Sequence, residues 1–136
     1  MKKILLDTNM LMCIGMLKVD IFSEIERICD FRYEIVTLDT ILEELKKIQE
    51  TQEAKHRKAA KLALQVLVQK IRQKKVKVLE SGIMPADYGI LKLVGDSNKD
   101  DFVVGTQDAE LKKLLKEKGV PILSLRQKKY LIISGV

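Results

Sequence analysis

The sequence predicts an α/β fold: a central parallel sheet of about five strands with helices on both faces. Three observations predict it. Short β-rich runs alternate with longer helical patterns along the chain, and strands separated by helices pair in parallel under a helical cover. A length of 136 residues with a 46% hydrophobic fraction suffices to bury one core. No internal repeat, low-complexity tract or linker divides the sequence, so residues 1–136 are expected to form one domain.

The elements follow from composition and period. Lys3-Ile4-Leu5-Leu6 is a compact apolar strand ending at Asp7. A helix is expected around residues 21–29, with apolar positions at Ile21, Phe22, Ile25 and Ile28. YEIVT at 33–37 reads as a second strand, followed by helical patterns over 40–50 and 54–73. VKVL at 76–79 is a third strand, 86–94 a helix, and FVVG at 102–105 a fourth strand. Residues 108–118 read as a helix ended by Gly119, and PILSL at 121–125 as a fifth strand. The apolar run Leu131-Ile132-Ile133 reads either as a last strand or as a surface through which two copies pair.

Composition narrows the chemistry. No apolar run reaches the roughly 20 residues of a membrane span, and the short N-terminal apolar stretch is interrupted by Asp7. A cytoplasmic protein with no membrane partner is expected. Cys13 and Cys29 stand far apart without metal-ligand spacing and are expected to be reduced thiols. His56 is the one histidine, in a basic stretch where it is expected to be solvated, so zinc chemistry and Ser-His-Asp catalysis find little support. The formal net charge of +6 favours a polyanionic partner, nucleic acid before membrane.

Four acids occupy positions where chemistry is expected. In open parallel sheets ligands gather at the carboxyl ends of the strands, near the point where strand order reverses. Asp7 directly follows the first strand; its structural alternative is to cap the next helix. Thr40 and Glu43 fit a Thr-x-x-Glu capping box, which gives Glu43 a structural task. At about 100° per residue, Glu44 falls about 60° from the Ile41 edge of the apolar stripe formed with Leu45 and Ile48, whereas Glu43 points nearly opposite. Glu44 therefore borders the buried face, where a carboxylate is costly unless a partner or metal receives it.

Asp87 heads the stripe Asp87, Ile90, Leu91 and Val94, just after Pro85. A helix dipole explains an acid in that first turn but not its alignment with the buried side. Asp108 lies beyond the fourth strand, either as an N-cap or as a fourth cleft acid, with the Thr106 hydroxyl at the same rim. Two unit charges about 5 Å apart repel by roughly 3 kcal/mol at an effective dielectric of 20. Four such groups in one cleft therefore call for cations, and all-oxygen ligands select Mg²⁺ or Mn²⁺ over zinc. Such ions activate water and stabilise charge on a phosphodiester.

Asp7-Thr8-Asn9, Glu44-Leu45, Asp87 and Thr106-Gln107-Asp108, in this order across nearly the whole chain, resemble the PIN-domain ribonuclease family. The resemblance implies a three-layer α/β/α fold and Mg²⁺- or Mn²⁺-dependent endonucleolytic cleavage of single-stranded RNA. It implies a catalytic, metal-holding cluster of Asp7, Glu44, Asp87 and Asp108, supported by Asn9 and Thr106. Within the family the sequence is most similar to the branch that processes ribosomal RNA in small-subunit maturation. That similarity rests on TLDTILEEL at 37–45, on Lys55-His56-Arg57, and on Gly119-Val120-Pro121-Ile122 before a basic tail. VapC-type toxins share the acids; that alternative implies an antitoxin partner, where the first implies ribosomal RNA or a pre-ribosomal particle. A PIN-like assembly factor that binds RNA without cutting is a further alternative.

The segment Asp96-Ser97-Asn98-Lys99-Asp100-Asp101 departs from the pattern, and Asp101 competes with Asp87 as the third acid. The same segment starts like a calcium loop, but Asp101 replaces the required Gly and Gln107 the terminal Glu. No G-x-x-x-x-G-K-[ST] is present, and Asn9 stands where a haloacid-dehalogenase-like phosphatase needs its second Asp.

For RNA contact the candidates are Lys55, Arg57 and Lys58, and Arg126, Lys128 and Lys129 in the tail. Lys61, Lys70, Arg72, Lys74 and Lys75 extend the basic helical stretch. Such groups neutralise phosphates; the alternative is an ordinary solvated helix face. Tyr130 beside the tail is a candidate to stack on a base, but with aromatics at 4% of the chain, sequence readout by stacking finds little support.

Overall fold

The computed structural model describes residues 1–51, 53–97 and 101–135. Six strands form one sheet in the order β3-β2-β1-β4-β5-β6. They are β1 (Lys2–Leu6), β2 (Tyr33–Leu38), β3 (Val76–Leu79), β4 (Phe102–Gly105), β5 (Ile122–Arg126) and β6 (Tyr130–Ser134). The first five are mutually parallel, and β6 folds back antiparallel on β5, pairing Leu125 with Leu131.

The helices are α1 (Thr8–Met16), α2 (Ile21–Ile28), α3 (Asp39–Gln49), α4 (Ala54–Arg72), α5 (Ala86–Gly95) and α6 (Ala109–Glu117). Right-handed crossovers from β1 to β2 and from β2 to β3 run one way along the sheet, and that from β4 to β5 runs the other way. Helices α1 to α4 therefore cover one face and α6 the opposite one, giving three layers. The central strands are buried accordingly: Ile4, Leu5, Val103 and Val104 are fully enclosed. Gly15 permits the close approach of α1 to α4, since a Cβ there would lie 2.4 Å from the Cα of Ala59. No helix among the described residues is long and apolar enough to cross a membrane.

One helix joins those expected, one local expectation is corrected and one open alternative is resolved. Residues 8–16 form a helix, α1, that no amphipathic pattern announced, because Met10 through Ile14 are all buried. The Thr40–Glu43 capping box does not form. Helix α3 starts one residue earlier, without a side-chain cap at Leu38, and the Thr40 hydroxyl is buried with no partner among the described residues. Asp39 does the local work instead, accepting hydrogen bonds from the backbone N–H groups of Thr40 and Ser81 at 2.9 and 2.8 Å. The run Leu131-Ile132-Ile133 lies within strand β6. Of the calcium-loop reading, Asn98, Lys99 and Asp100 lie outside the described residues.

Candidate active site

The strand order places the site. The chain builds outward from β1 through β2 to β3, then returns to pair β4 on the other side of β1. Strand order thus reverses between β1 and β4, and their carboxyl ends flank a crevice of the kind that receives ligands. Asp7 leaves the end of β1 and Thr106 the end of β4. The Thr106 hydroxyl donates to Oδ2 of Asp7 and accepts from the backbone N–H of Asp108 at 3.0 Å. One buried hydroxyl therefore ties two of the four acids together.

Asp7 is only 2% exposed. Its Oδ1 accepts from the N–H of Met10 at 2.7 Å and so caps α1. Asp108 likewise caps α6, with Oδ1 accepting from Glu110 and Leu111 at 2.8 and 3.0 Å. For both acids the capping alternative holds together with a place at the crevice, because a carboxylate has acceptor capacity beyond one cap.

Glu44 is half-buried and Glu43 exposed, on the sides of α3 that the helical period assigns them. Glu44 spans two elements: Oε1 accepts from the Thr8 hydroxyl and Oε2 from the N–H of Ala86 at 2.9 Å. It thereby locks the starts of α1 and α5 to α3. Asp87 follows Ala86, half-buried, and accepts no hydrogen bond among the described residues.

The electrostatics show that these acids feel one another. Burial, and after it the charges of Asp87 and Asp108, push the Asp7 carboxyl up to about 6, against the lowering effect of its bonds from Thr106 and Met10. Asp87 is also raised, first by burial and then by the charges of Asp108, Glu44 and Glu110. Among the described residues no ion pair joins any of the four to a lysine or arginine. These carboxylates thus meet without a directly paired cation of the chain, and such an oxygen-rich, negatively charged crevice fits a hard divalent cation. In these side-chain positions, no three His, Cys, Asp or Glu side chains among the described residues close on a common point. The acids border the crevice, two of them turned partly toward helix ends.

Asp7, Glu44 and Asp87 line one cleft of ≈ 560 Å³ together with Asn9 and Lys47. Asp87 and Asp108 share a smaller one between α5 and α6, beside Tyr88 and Leu114. Asp101 stands apart: it precedes β4, at the amino end of the strand whose carboxyl end leads to Thr106. Four residues of strand, about 13 Å at 3.3 Å per residue, separate it from the crevice. The geometry therefore joins Asp87, not Asp101, to the other acids.

The basic candidates divide. Lys55, Arg57 and Lys58 are exposed on the first turns of α4, and Arg126, Lys128 and Lys129 are exposed at the β5–β6 turn. Of these two segments, His56 and Lys128 line one groove with Asn9 and Asp108. Lys70, Lys74 and Lys75 instead line a separate hollow with Phe22 and Tyr33, where α4 leads into the start of β3. Tyr130 is exposed at the head of β6.

Sequence reasoning missed two neighbours of the acids, and for His56 it expected only solvent. Lys47 stands three residues after Glu44, a spacing that puts both on one helix face and that could have revealed it. Tyr88, 63% exposed beside Asp87, carries no such signal. His56 is half-buried with Nδ1 2.9 Å from Oε2 of Glu53, rather than simply solvated.

Comparison with known proteins gives the same fold. The chain is similar to ribonuclease VapC4 of Methanocaldococcus jannaschii, with 35% identity over 136 residues, covering 100% of this chain and 99% of the relative. The structure of the PIN domain endonuclease Utp24 superposes with a TM-score of 0.76 at 21% identity, covering 98% of this chain and 92% of that one. A domain of a functionally unknown protein from M. jannaschii superposes with a TM-score of 0.61 at 21% identity, covering 93% and 92%. At such identities these two likenesses speak for the fold alone. Over residues 4–128 the sequence matches the family model described as a PIN like domain, and the chain belongs to that family.

Proposed function

We propose that this chain is a Mg²⁺- or Mn²⁺-dependent endoribonuclease that hydrolyses phosphodiester bonds of single-stranded RNA. The observation that carries the reading is the convergence of Asp7, Glu44 and Asp87 on one cleft at the β1–β4 switch point, with Asp108 tied to Asp7 through the Thr106 hydroxyl and the charges of Asp87 and Asp108 raising Asp7. Support comes from the full-length relative named a ribonuclease. Asp7, Glu44, Asp87 and Asp108 would hold the cation. When bound, it supplies an activated water and charge stabilisation at the phosphate being cut.

The remaining work falls to the chain itself. Thr106 fixes the Asp7 carboxylate and the backbone of Asp108. Glu44 holds Thr8 and Ala86, and with them the helix starts that carry Asn9 and Asp87. Lys55, Arg57, Lys58, Arg126, Lys128 and Lys129 draw the RNA backbone to the crevice, and binding should weaken steeply with salt. Under this reading the chain acts in the cytoplasm.

Of the two biological settings, full-length sequence similarity to a protein named VapC4 favours a toxin-type ribonuclease with an antitoxin partner. Ribosomal RNA processing rests on the motif resemblance carried by residues 37–45, 55–57 and 119–122. The test is cleavage of single-stranded RNA with and without Mg²⁺ or Mn²⁺, with Asp7→Asn as control. Metal-independent cutting, or cutting undiminished in Asp7→Asn, contradicts the proposal. RNA binding without cutting selects the assembly-factor alternative. Growth arrest on expression, relieved by the product of a neighbouring gene, selects toxin over processing enzyme.

A further inference from the structure

A groove of ≈ 610 Å³ adjoins the acid cleft on its α1–α4 side. Its walls are apolar where a protein surface facing a polyanion would ordinarily be polar: Met12, Met16, Leu17 and Ile48. Its rim carries His56 and Lys128. Asn9 and Ile48 line this groove and the acid cleft alike, and Asp108 stands at its edge. The two depressions are therefore one continuous surface.

The polar groups of the groove are unevenly committed. Gln107 is fixed, its amide donating to the Leu125 carbonyl at 3.3 Å and accepting from the Leu125 N–H at 2.6 Å. Glu53 is held by His56. Asn9 and Lys128 remain open, with no side-chain hydrogen bond or ion pair among the described residues. Lys128 is delivered to the rim by a tight turn in which Gln127 and Lys128 both adopt left-handed backbone angles, φ 54 and 56. The turn is closed by the Lys129 N–H donating to the Arg126 carbonyl at 3.1 Å.

We propose that this groove seats one unpaired base of the RNA strand, that of a nucleotide flanking the phosphate cut at the acids, with Lys128 on an adjoining phosphate. The inference rests on the ribonuclease reading and adds a subsite to it. An aromatic base offers a flat apolar face, which polarisable methionine side chains accommodate well. It carries a polar edge for a free amide such as that of Asn9, and its own phosphate supplies the negative charge that Lys128 lacks. A base within a duplex cannot leave its stack to fill a recess without unpairing, so the groove selects single strands.

The experiment uses the full chain with EDTA present, so that binding is read without cleavage. A short fluorescein-labelled single-stranded RNA is titrated by anisotropy, intact and with an abasic site placed at each position in turn. In the parent protein, one abasic position is expected to weaken binding roughly tenfold, in keeping with the contribution of a single seated base. Met16→Trp, which fills the recess, should bind intact RNA roughly tenfold more weakly and be indifferent to that abasic position, the non-additivity expected of two groups in contact. Met16→Ala empties the recess instead and should blunt the same sensitivity, which keeps the test independent of one variant's folding. Lys128→Asn suits the left-handed backbone; it should weaken intact and abasic RNA alike and flatten the salt dependence. Equal loss at every abasic position in the parent, or the same position-specific loss in Met16→Trp and Met16→Ala, overturns the subsite. Cleavage of intact RNA after Mn²⁺ addition is scored separately: cutting without the coupling removes the subsite alone, whereas coupling without cutting removes the nuclease reading alone.

Discussion

Thr106 donates its hydroxyl to Oδ2 of Asp7 across a sequence separation of 99 residues, joining the residue after β4 to the residue after β1. The same oxygen accepts from the backbone of Asp108, so one side chain orders two acids at the switch point. Thr106→Val keeps the shape and removes both bonds. The loss of hydrogen bonds to a buried charged group should cost about 1–3 kcal/mol of stability in a denaturant titration. Without the donor, Asp7 should hold its proton to still higher pH, and metal-dependent cleavage at neutral pH should fall. Thr106→Ser, which restores the hydroxyl, should recover most of both. A serine variant no better than valine would assign Thr106 a purely steric role.

The Asp7 carboxyl titrates near 6 in the folded chain, against 3.8 as its ordinary value. An acid raised on folding opposes folding once it ionises. Below about pH 4 both states hold the proton and nothing is lost. Between 4 and 6 the unfolded chain releases it first, so stability falls as pH rises; above 6 a penalty of the order of 3 kcal/mol is fully present. Metal-free protein should therefore melt at lower temperature at pH 8 than at pH 5 by more than Asp7→Asn does, and Asp7→Asn should be the more stable of the two at pH 8. Added Mn²⁺ should raise the melting temperature of the parent more at pH 8 than at pH 5. A stability that rises with pH through this window would contradict the assignment.

Local pattern made much of this legible. The third and fourth strands fall at the expected residues because the short β-rich runs VKVL and FVVG are bounded sharply by polar residues. Glu44 and Asp87 were placed beside the buried face by helical period alone, and the structure leaves both half-buried. Helix α1 escaped because a segment buried from Met10 to Ile14 shows no polar face and hence no period. Strand β6 was ambiguous because its turn uses Gln127 and Lys128 at left-handed angles, where glycine or asparagine is the recognisable signal. The start of α3 misled for another reason. Asp39 binds the N–H of Ser81, 42 residues away, and no local cap statistic contains that contact. The bonds Thr8–Glu44 and Thr106–Asp7 are equally non-local, so the sequence could name the acids and bring the Thr106 hydroxyl to their rim, but not pair either hydroxyl with its acid.

Asp108 serves two purposes that substitution can separate. Its Oδ1 caps α6, a task asparagine performs about as well, whereas alanine costs roughly 1 kcal/mol. Its charge contributes to raising both Asp7 and Asp87, and asparagine lacks it. Asp108→Asn should keep the denaturation midpoint of the parent while losing most metal-dependent cleavage, and Asp108→Ala should lose both. Equal cleavage by Asp108→Asn and the parent would leave Asp108 as a cap and nothing more.

Strand β6 closes the sheet at one edge, where unpaired backbone groups invite another strand. That edge is partly sealed by α2. The Leu131 N–H donates to Oε1 of Glu24 at 2.9 Å, and its carbonyl accepts from Nη2 of Arg27 at 3.2 Å. Glu24 and Arg27 are themselves joined by two bonds, at 3.1 and 2.9 Å. The pair thus occupies the outward peptide groups at Leu131, where a second copy pairing through β6 would bind. Replacing both by alanine exposes these groups without touching the crevice. The double variant should sediment as larger species than the parent at equal concentration, and its metal-dependent cleavage per chain should be unchanged. If its sedimentation matches that of the parent across the concentration range, the Glu24–Arg27 pair holds α2 against β6 without guarding the edge.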